Sequence, residues 1–424
     1  MKKNNKINET KNLLNLVEKY RIKNTNSVYP LLDDAFSSED LIKGIKVILT
    51  GQLTMSKITL KFEQEFAKKL NAKYAVMVNS GSSANLLATF AACNPLRKNK
   101  FKPGDEALIQ ALCWPTSLWP LTQTGLKPVF VDVNSKSLNV NADDLLKKIT
   151  SKTKVIMIIH VLGNSPNIEK IRNETKKRGI ILIEDTCESL GAKYKNKFLG
   201  TYGDFGTYSF YYSHQISSGE GGMIVCNNFD DYQLLLSMRS HGWSRNLKIH
   251  KNIEKHYPKL DKKFIFINSG FNLRPTDIVA SIGLNQFKRL DKLIRIRTEN
   301  RVKIIKALKK STKWKNQYSF LEVTKNVDPS FFGFPIFLND ELKHKKKVFL
   351  KYLEKKGVET RPIITGNFLN QPAAKLYKFK QKAKNFPNAQ KIEDSGFFIG
   401  LHSKSISEAR LNYLIENLLK INEL

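Results

Sequence analysis

The sequence predicts an α/β fold: a large domain on a mostly parallel sheet, followed by a small C-terminal α+β domain. Apolar runs of strand length recur at Tyr74–Val78, Glu106–Ala111, Pro128–Asp132, Val155–His160, Ile180–Glu184 and Met223–Cys226. Amphipathic stretches such as Asp144–Ile149 and Ile168–Lys177 lie between several of them. That alternation is the pattern of parallel strands joined by crossover helices. Past residue 300 the pattern changes. A helix around Glu299–Lys310, a strand near Phe334–Leu338, a helix near Lys345–Lys356 and a closing helix near Ile406–Leu419 describe the smaller domain. The expected division is an N-terminal extension over 1–30, a large domain over 31–300 and a small domain over 301–424.

The extension is polar and rich in Asn and Lys, and a short helix is expected within it. The first strand runs into Asn79-Ser80-Gly81-Ser82-Ser83-Ala84-Asn85, a small-residue turn opening a helix. Gly81, Ser82 and Ser83 put backbone amides and hydroxyls at a helix N-terminus, where the dipole favours an anion such as phosphate. An ordinary serine-capped helix reads the same way. Trp114 follows the second strand, at the carboxyl end where open α/β sheets bind ligands. It could stack on a flat heteroaromatic ring or be a core tryptophan. Asp185 ends the run Ile181-Leu182-Ile183-Glu184-Asp185. A carboxylate there can pair with a protonated pyridine nitrogen, or cap a helix. Ser209 is a second candidate phosphate ligand, or a turn serine.

Composition narrows the classes. A chain of 424 residues, 41% hydrophobic, can bury a sizeable core. No run approaches the roughly 18 apolar residues of a membrane span. The basic start has no apolar stretch behind it, so no secretory signal is expected. Four cysteines stand singly with no CxxC pair, which fits a reducing cytoplasm. The net charge of +33 is spread along the whole chain, and no nucleic-acid recognition motif accompanies it. No nucleic-acid partner is expected; a basic surface still favours a phosphorylated substrate.

The order and spacing of these pieces resemble the DegT/DnrJ/EryC1/StrS family of pyridoxal-phosphate sugar enzymes. The resemblance runs from Gly51-Gln52-Leu53-Thr54 to Ser269-Gly270-Phe271-Asn272-Leu273-Arg274-Pro275, and more weakly to Thr360-Arg361-Pro362 and Gly400-Leu401-His402. It implies the fold of the PLP-dependent aspartate aminotransferases (fold type I), with pyridoxal or pyridoxamine 5′-phosphate as cofactor. By resemblance Asp185 partners the pyridine nitrogen, Trp114 stacks on the ring, and Gly81, Ser82, Ser83 and Ser209 cradle the phosphate. Asn272 resembles the asparagine that reaches the phosphate in a neighbouring subunit, which implies a homodimer with shared active sites. Glu188, also placed at the cofactor, stands where the aminotransferases commonly have glutamine; no role is assigned to this extra carboxylate.

One position departs from the family's commonest pattern. In Ser209-Phe210-Tyr211-Tyr212-Ser213-His214 ahead of Gly219-Glu220-Gly221-Gly222, His214 occupies the place of the lysine that binds the cofactor covalently. Histidine has no primary amine, yet it moves protons near neutral pH. With Ser80–Ala88 and His160-Val161-Leu162-Gly163-Asn164, this resembles the histidine-containing 3-dehydratase subgroup. The resemblance implies noncovalent pyridoxamine phosphate, His214 as base and then acid, and expulsion of a sugar C3 hydroxyl. One subtype of that subgroup carries an iron–sulfur cluster, which needs clustered thiolates. No cysteine follows Cys226, so no cluster is expected. The cluster-free type implies a GDP-linked 4-keto-6-deoxymannose, L-glutamate as amino donor, and a dideoxysugar for O-antigen and related lipopolysaccharide. A CDP-sugar dehydratase, a nucleotide-sugar aminotransferase with a displaced lysine, and an inactive cofactor-binding protein are the alternatives. Against the second, no lysine lies between Tyr202 and Cys226. Arg245, Arg361 and His402 are candidates for the sugar end, the arginines equally readable as surface or interface residues and His402 as a structural histidine at a strand end.

Overall fold

The computed structural model describes residues 2–21, 27–97 and 101–424, with backbone alone for 2–10. Met1 and residues 22–26 of the predicted extension lie outside the described residues. Seven strands form the main sheet: β1 (Tyr74–Val78), β2 (Glu106–Gln110), β3 (Lys127–Val131), β4 (Thr153–Ile159), β5 (Ile181–Asp185), β6 (Phe205–Ser209) and β7 (Gly222–Cys226). Their order is β1-β7-β6-β5-β4-β2-β3. The run β6-β5-β4-β2-β3 is parallel, whereas β7 lies antiparallel to both β1 and β6. Every residue of β5, β6 and β7 is buried. Helices on both faces produce such runs, and they bring the carboxyl ends of the parallel strands to one edge.

Two elements at that edge were not expected from the sequence. Strand β6 reads Phe-Gly-Thr-Tyr-Ser, and its glycine weakens the strand signal. A Cβ on Gly206 would stand 1.8 Å from the Gly200 carbonyl oxygen, so the neighbouring loop requires glycine there. Helix Pro115–Gln123 was hidden by its two prolines, Pro115 in the first turn and Pro120 inside.

In the C-terminal part, Tyr318–Phe320, Gly333–Leu338, Gly396–Gly400 and Thr360–Arg361 make a four-stranded antiparallel sheet in that order. Helices Lys346–Lys355 and Glu408–Leu419 accompany it, with Phe334, Phe349, Phe397 and Leu414 fully buried. Helix Leu290–Lys310 begins well before the predicted Glu299 and continues through residue 300, so the expected division falls inside one helix. The extension forms helix Lys2–Tyr20. Its end is tied to the C-terminal part: Tyr29 bridges Val358 and its hydroxyl donates to the Gly400 carbonyl at 3.0 Å. Among the described residues no helix is long and apolar enough to cross a membrane.

Candidate active site

Asp185 is the last residue of β5, so the sheet delivers its side chain to the open edge. Its Oδ2 accepts from Asn85 Nδ2 and from Ser117 Oγ, both at 2.7 Å, and its Oδ1 accepts from the Cys187 amide at 3.1 Å. Asn85 is fixed in turn by the Thr207 hydroxyl at 2.6 Å. An ionised carboxylate has about four acceptor sites. Three are filled by N–H and O–H donors of the protein, and the Cys187 thiol lies against the same carboxylate.

Helix Gly81–Ala92 points its N-terminus at the same edge, capped by Ser80, whose hydroxyl accepts from the Ser83 amide at 3.0 Å. A Cβ on Gly81 would lie 2.4 Å from the Ser209 Cβ and 2.8 Å from its Oγ, with the Cys187 sulfur at 3.1 Å. Gly81, Ser209 and the turn after β5 therefore converge, and only glycine fits between them. Ser82 donates to the Thr116 hydroxyl at 3.1 Å, joining this cradle to the helix that carries Trp114. Amides at a helix N-terminus with two serine hydroxyls suit a phosphate. Trp114 is 53% exposed at the start of its helix, one turn before Ser117, and is no core residue.

His214 lies in the turn after β6, its amide donating to the Tyr211 carbonyl at 3.0 Å. Its ring centroid lies 5.0 Å from that of Phe332, and Tyr211 stands edge-on at 6.1 Å. Nδ1 is buried, and among the described residues it has no hydrogen-bond partner. Burial pushes the imidazole down to about 4; a hydrogen bond to the Cys187 backbone opposes the shift and the Arg297 charge adds to it. A cavity of about 210 Å³ opens beside it, lined by Asp34, Tyr212, Arg289, Arg297 and Lys404 among others.

Glu188 accepts from the Leu162 amide at 3.0 Å. Leu162 holds a left-handed backbone, φ 50°, in making that contact. Burial pushes Glu188 up to about 7, the Leu162 amide opposing and the Asp185 charge adding. Gln215 donates to the carbonyls of Glu188 at 2.6 Å and Ser330 at 3.1 Å, locking the His214 turn against the Glu188 turn.

The structure thus gathers Gly81, Ser82, Ser83, Trp114, Asp185, Glu188, Ser209 and His214 at one edge. Asn272 is exposed, its side chain accepting from Arg274 Nε at 3.0 Å, and the carbonyl of the next residue, Leu273, accepts from the Asn79 amide at 3.0 Å just ahead of the Ser80 cap. Arg245 and Arg361 are exposed too, Arg245 lying over the Trp243 ring at 5.3 Å; among the described residues neither bonds to the Asp185 or His214 groups. His402 is corrected as a sugar candidate. It is 1% exposed, stacked on Tyr29 at 4.4 Å, with Nε2 on the Pro30 carbonyl at 2.8 Å. One face of its ring and its Nε2 are occupied in seating the N-terminal segment.

Three contributors escaped the sequence reading. Asn85 left a trace, a lone amide on the small and apolar face of its helix. Ser117 was masked with its proline-bearing helix, and Arg297, 83 residues from its bonded partner His214, left none.

The sequence profile of the DegT/DnrJ/EryC1/StrS aminotransferase family matches residues 37–419. A GDP-4-keto-6-deoxy-D-mannose 3-dehydratase of Yersinia pseudotuberculosis is 36% identical over 396 residues, 92% of this chain and 98% of that protein. Among solved structures, a histidine mutant of GDP-4-keto-6-deoxymannose-3-dehydratase with bound GDP-perosamine superposes with a TM-score of 0.84. It is 34% identical, over 92% of this chain and 100% of that one. Another structure of GDP-4-keto-6-deoxymannose-3-dehydratase, with a trapped PLP-glutamate geminal diamine, has a TM-score of 0.81 and 33% identity, over 92% and 100% of the two chains.

Proposed function

The chain belongs to the DegT/DnrJ/EryC1/StrS aminotransferase family, and from that premise we propose that it is a PLP-dependent sugar 3-dehydratase. It removes the C3 hydroxyl of a nucleotide-linked 4-keto-6-deoxyhexose, GDP-4-keto-6-deoxymannose, with glutamate as amino donor. The observation that carries this reading is His214: an unprotonated, half-buried imidazole at the open edge, in the place of the family's lysine. The activity named for the Yersinia relative, and the GDP-sugar and glutamate named in the neighbouring structures, support the substrate assignment.

Asp185 would hold the pyridine nitrogen, and Trp114 would face the ring. Gly81, Ser82, Ser83 and Ser209 would hold the phosphate, with Glu188 close to the ring. Asn272, exposed on its own protomer, would reach a phosphate in a second copy, which makes the working unit a homodimer. The bound cofactor, in its pyridoxamine form, supplies an amine for the 4-keto carbon and a cationic ring that takes up electrons.

His214 does the proton work. Its Nδ1, buried and unpartnered, is neutral at physiological pH and free to accept a proton. Once charged, a ring pushed down to about 4 holds its proton weakly and can pass it to the departing C3 hydroxyl. Phe332 packs against the ring, with centroids 5.0 Å apart. A lysine amine would instead return a proton to the sugar and complete an amino transfer. The product, a 4-keto-3,6-dideoxyhexose nucleotide made in the cytoplasm, would feed O-antigen synthesis.

Mass spectrometry of purified protein with pyridoxal phosphate, L-glutamate and GDP-4-keto-6-deoxymannose tests the reading. Loss of the C3 oxygen, with 2-oxoglutarate and ammonia formed, is the expected result. A stable 4-amino sugar would overturn the dehydratase assignment in favour of an aminotransferase.

A further inference from the structure

Arg297, on helix Leu290–Lys310, is 2% exposed, and among the described residues no carboxylate pairs with it. A buried, unpaired guanidinium is costly. Its partners are three backbone carbonyls: Nη2 donates to His214 at 3.2 Å, and Nη1 to Phe332 at 3.2 Å and Phe331 at 3.4 Å. Those carbonyls belong to two segments far apart in the chain. One segment carries the candidate base, and the other carries the ring packed on it, since Phe332 lies 5.0 Å from the His214 imidazole. The phenyl ring is braced from behind by Phe398 at 5.9 Å.

We propose that Arg297 is a positioning residue for His214, a buried clamp that locks the His214 turn to the Phe331–Phe332 segment and so fixes the direction of the imidazole. This rests on reading His214 as the base. A hydrocarbon of similar length would fill the space but could not tie two main-chain segments together. The clamp also brings one positive charge to the ring from the helix side. The other groups facing it are Tyr211 and Tyr212 of its own turn, Cys187 and Glu188 of the turn after β5, and Asp34, Arg289 and Lys404 around the cavity. Asp34 is paired with Lys404, and Arg289 with Asp40, so these charges are largely balanced. Arg297 makes no such direct pair, the Asp33 carboxylate acting on it only through space, and its charge lowers the affinity of the imidazole for a proton.

The test uses the full chain with cofactor bound and two variants, Arg297→Lys and Arg297→Met. Three quantities are read: folding by circular dichroism, kcat and KM for glutamate, and the His214 ring titration by NMR, its resonance assigned from its loss in His214→Asn. In Arg297→Met, kcat should fall about 10- to 100-fold with KM nearly unchanged. His214 should also titrate about one unit higher. Arg297→Lys keeps a charge but cannot span three carbonyls, so its titration should stay low while kcat still falls. Folded variants with parental kcat and titration, beside an inactive His214→Asn, would overturn this inference and leave the base assignment standing. Parental turnover by His214→Asn would overturn both. Failure of both Arg297 variants to fold would also overturn it, since the residue would then be a structural pillar.

Discussion

The low proton affinity of His214 sets a pH dependence that can be worked through. An ordinary histidine, near 6.5, would be only about 9% neutral at pH 5.5, whereas one near 4 is about 97% neutral. Proton abstraction should therefore persist at pH 5.5 at about ten times the level expected of an ordinary histidine. The same shift affects stability. The folded-state value is depressed, so the His214 contribution is fully present above about 6.5 and lost as pH falls towards 4. A shift from 6.5 to about 4 corresponds to at most about 3 kcal/mol. Glu188 acts with the opposite sign: raised to about 7, its contribution is complete below about 4.5 and disappears as pH rises through 7. Comparison with His214→Asn cancels the Glu188 part. The assays are the pH profile of the glutamate half-reaction and urea unfolding of parent and His214→Asn at pH 7.5 and 4.5. An acid limb at 6.5, or parallel stability losses in the two proteins, would refute the half-buried neutral imidazole.

Three further perturbations follow from the same geometry. Asp185→Asn turns an amide donor towards Asn85, Ser117 or the Cys187 amide, at a cost of about 1–3 kcal/mol for the mispaired group. Cofactor should be lost on gel filtration and turnover should drop at least about 100-fold; retention of both would remove Asp185 from the site. Gly81→Ala sets a methyl 2.4 Å from the Ser209 Cβ and must displace that serine. Fluorescence titration should show cofactor affinity falling about tenfold or more, a loss of about 1.4 kcal/mol, while the unfolding midpoint moves little. His214→Lys should abolish dehydration and let borohydride attach the cofactor to the chain, read as an added mass on the intact protein. Dehydration at the parental rate in that variant would be fatal to the role given to His214.

What could be read from the sequence was local. The strands β1, β2, β3, β4, β5 and β7, the glycine–serine helix start, the aspartate ending β5 and the histidine after Ser209 each occupy contiguous residues, where periodicity and residue type carry the information. They determined the class of chemistry, because replacing a lysine by a histidine changes what the side chain can do wherever it is placed. Elements whose residues serve a distant contact were obscured. Gly206 yields to the Gly200 loop and weakens a strand, and prolines conceal the helix that brings Ser117 to Asp185.

Tertiary structure alone decided the rest. It turned His402 from a sugar candidate into the residue seating Tyr29 and Pro30, and reversed β7 within an otherwise parallel run. It also placed Arg297 against the His214 carbonyl, 83 residues away in sequence. A residue's chemistry is intrinsic and can be read one position at a time. Its proton affinity, its partners and its reach depend on which distant segments exclude water around it, and those are set only when the chain closes on itself.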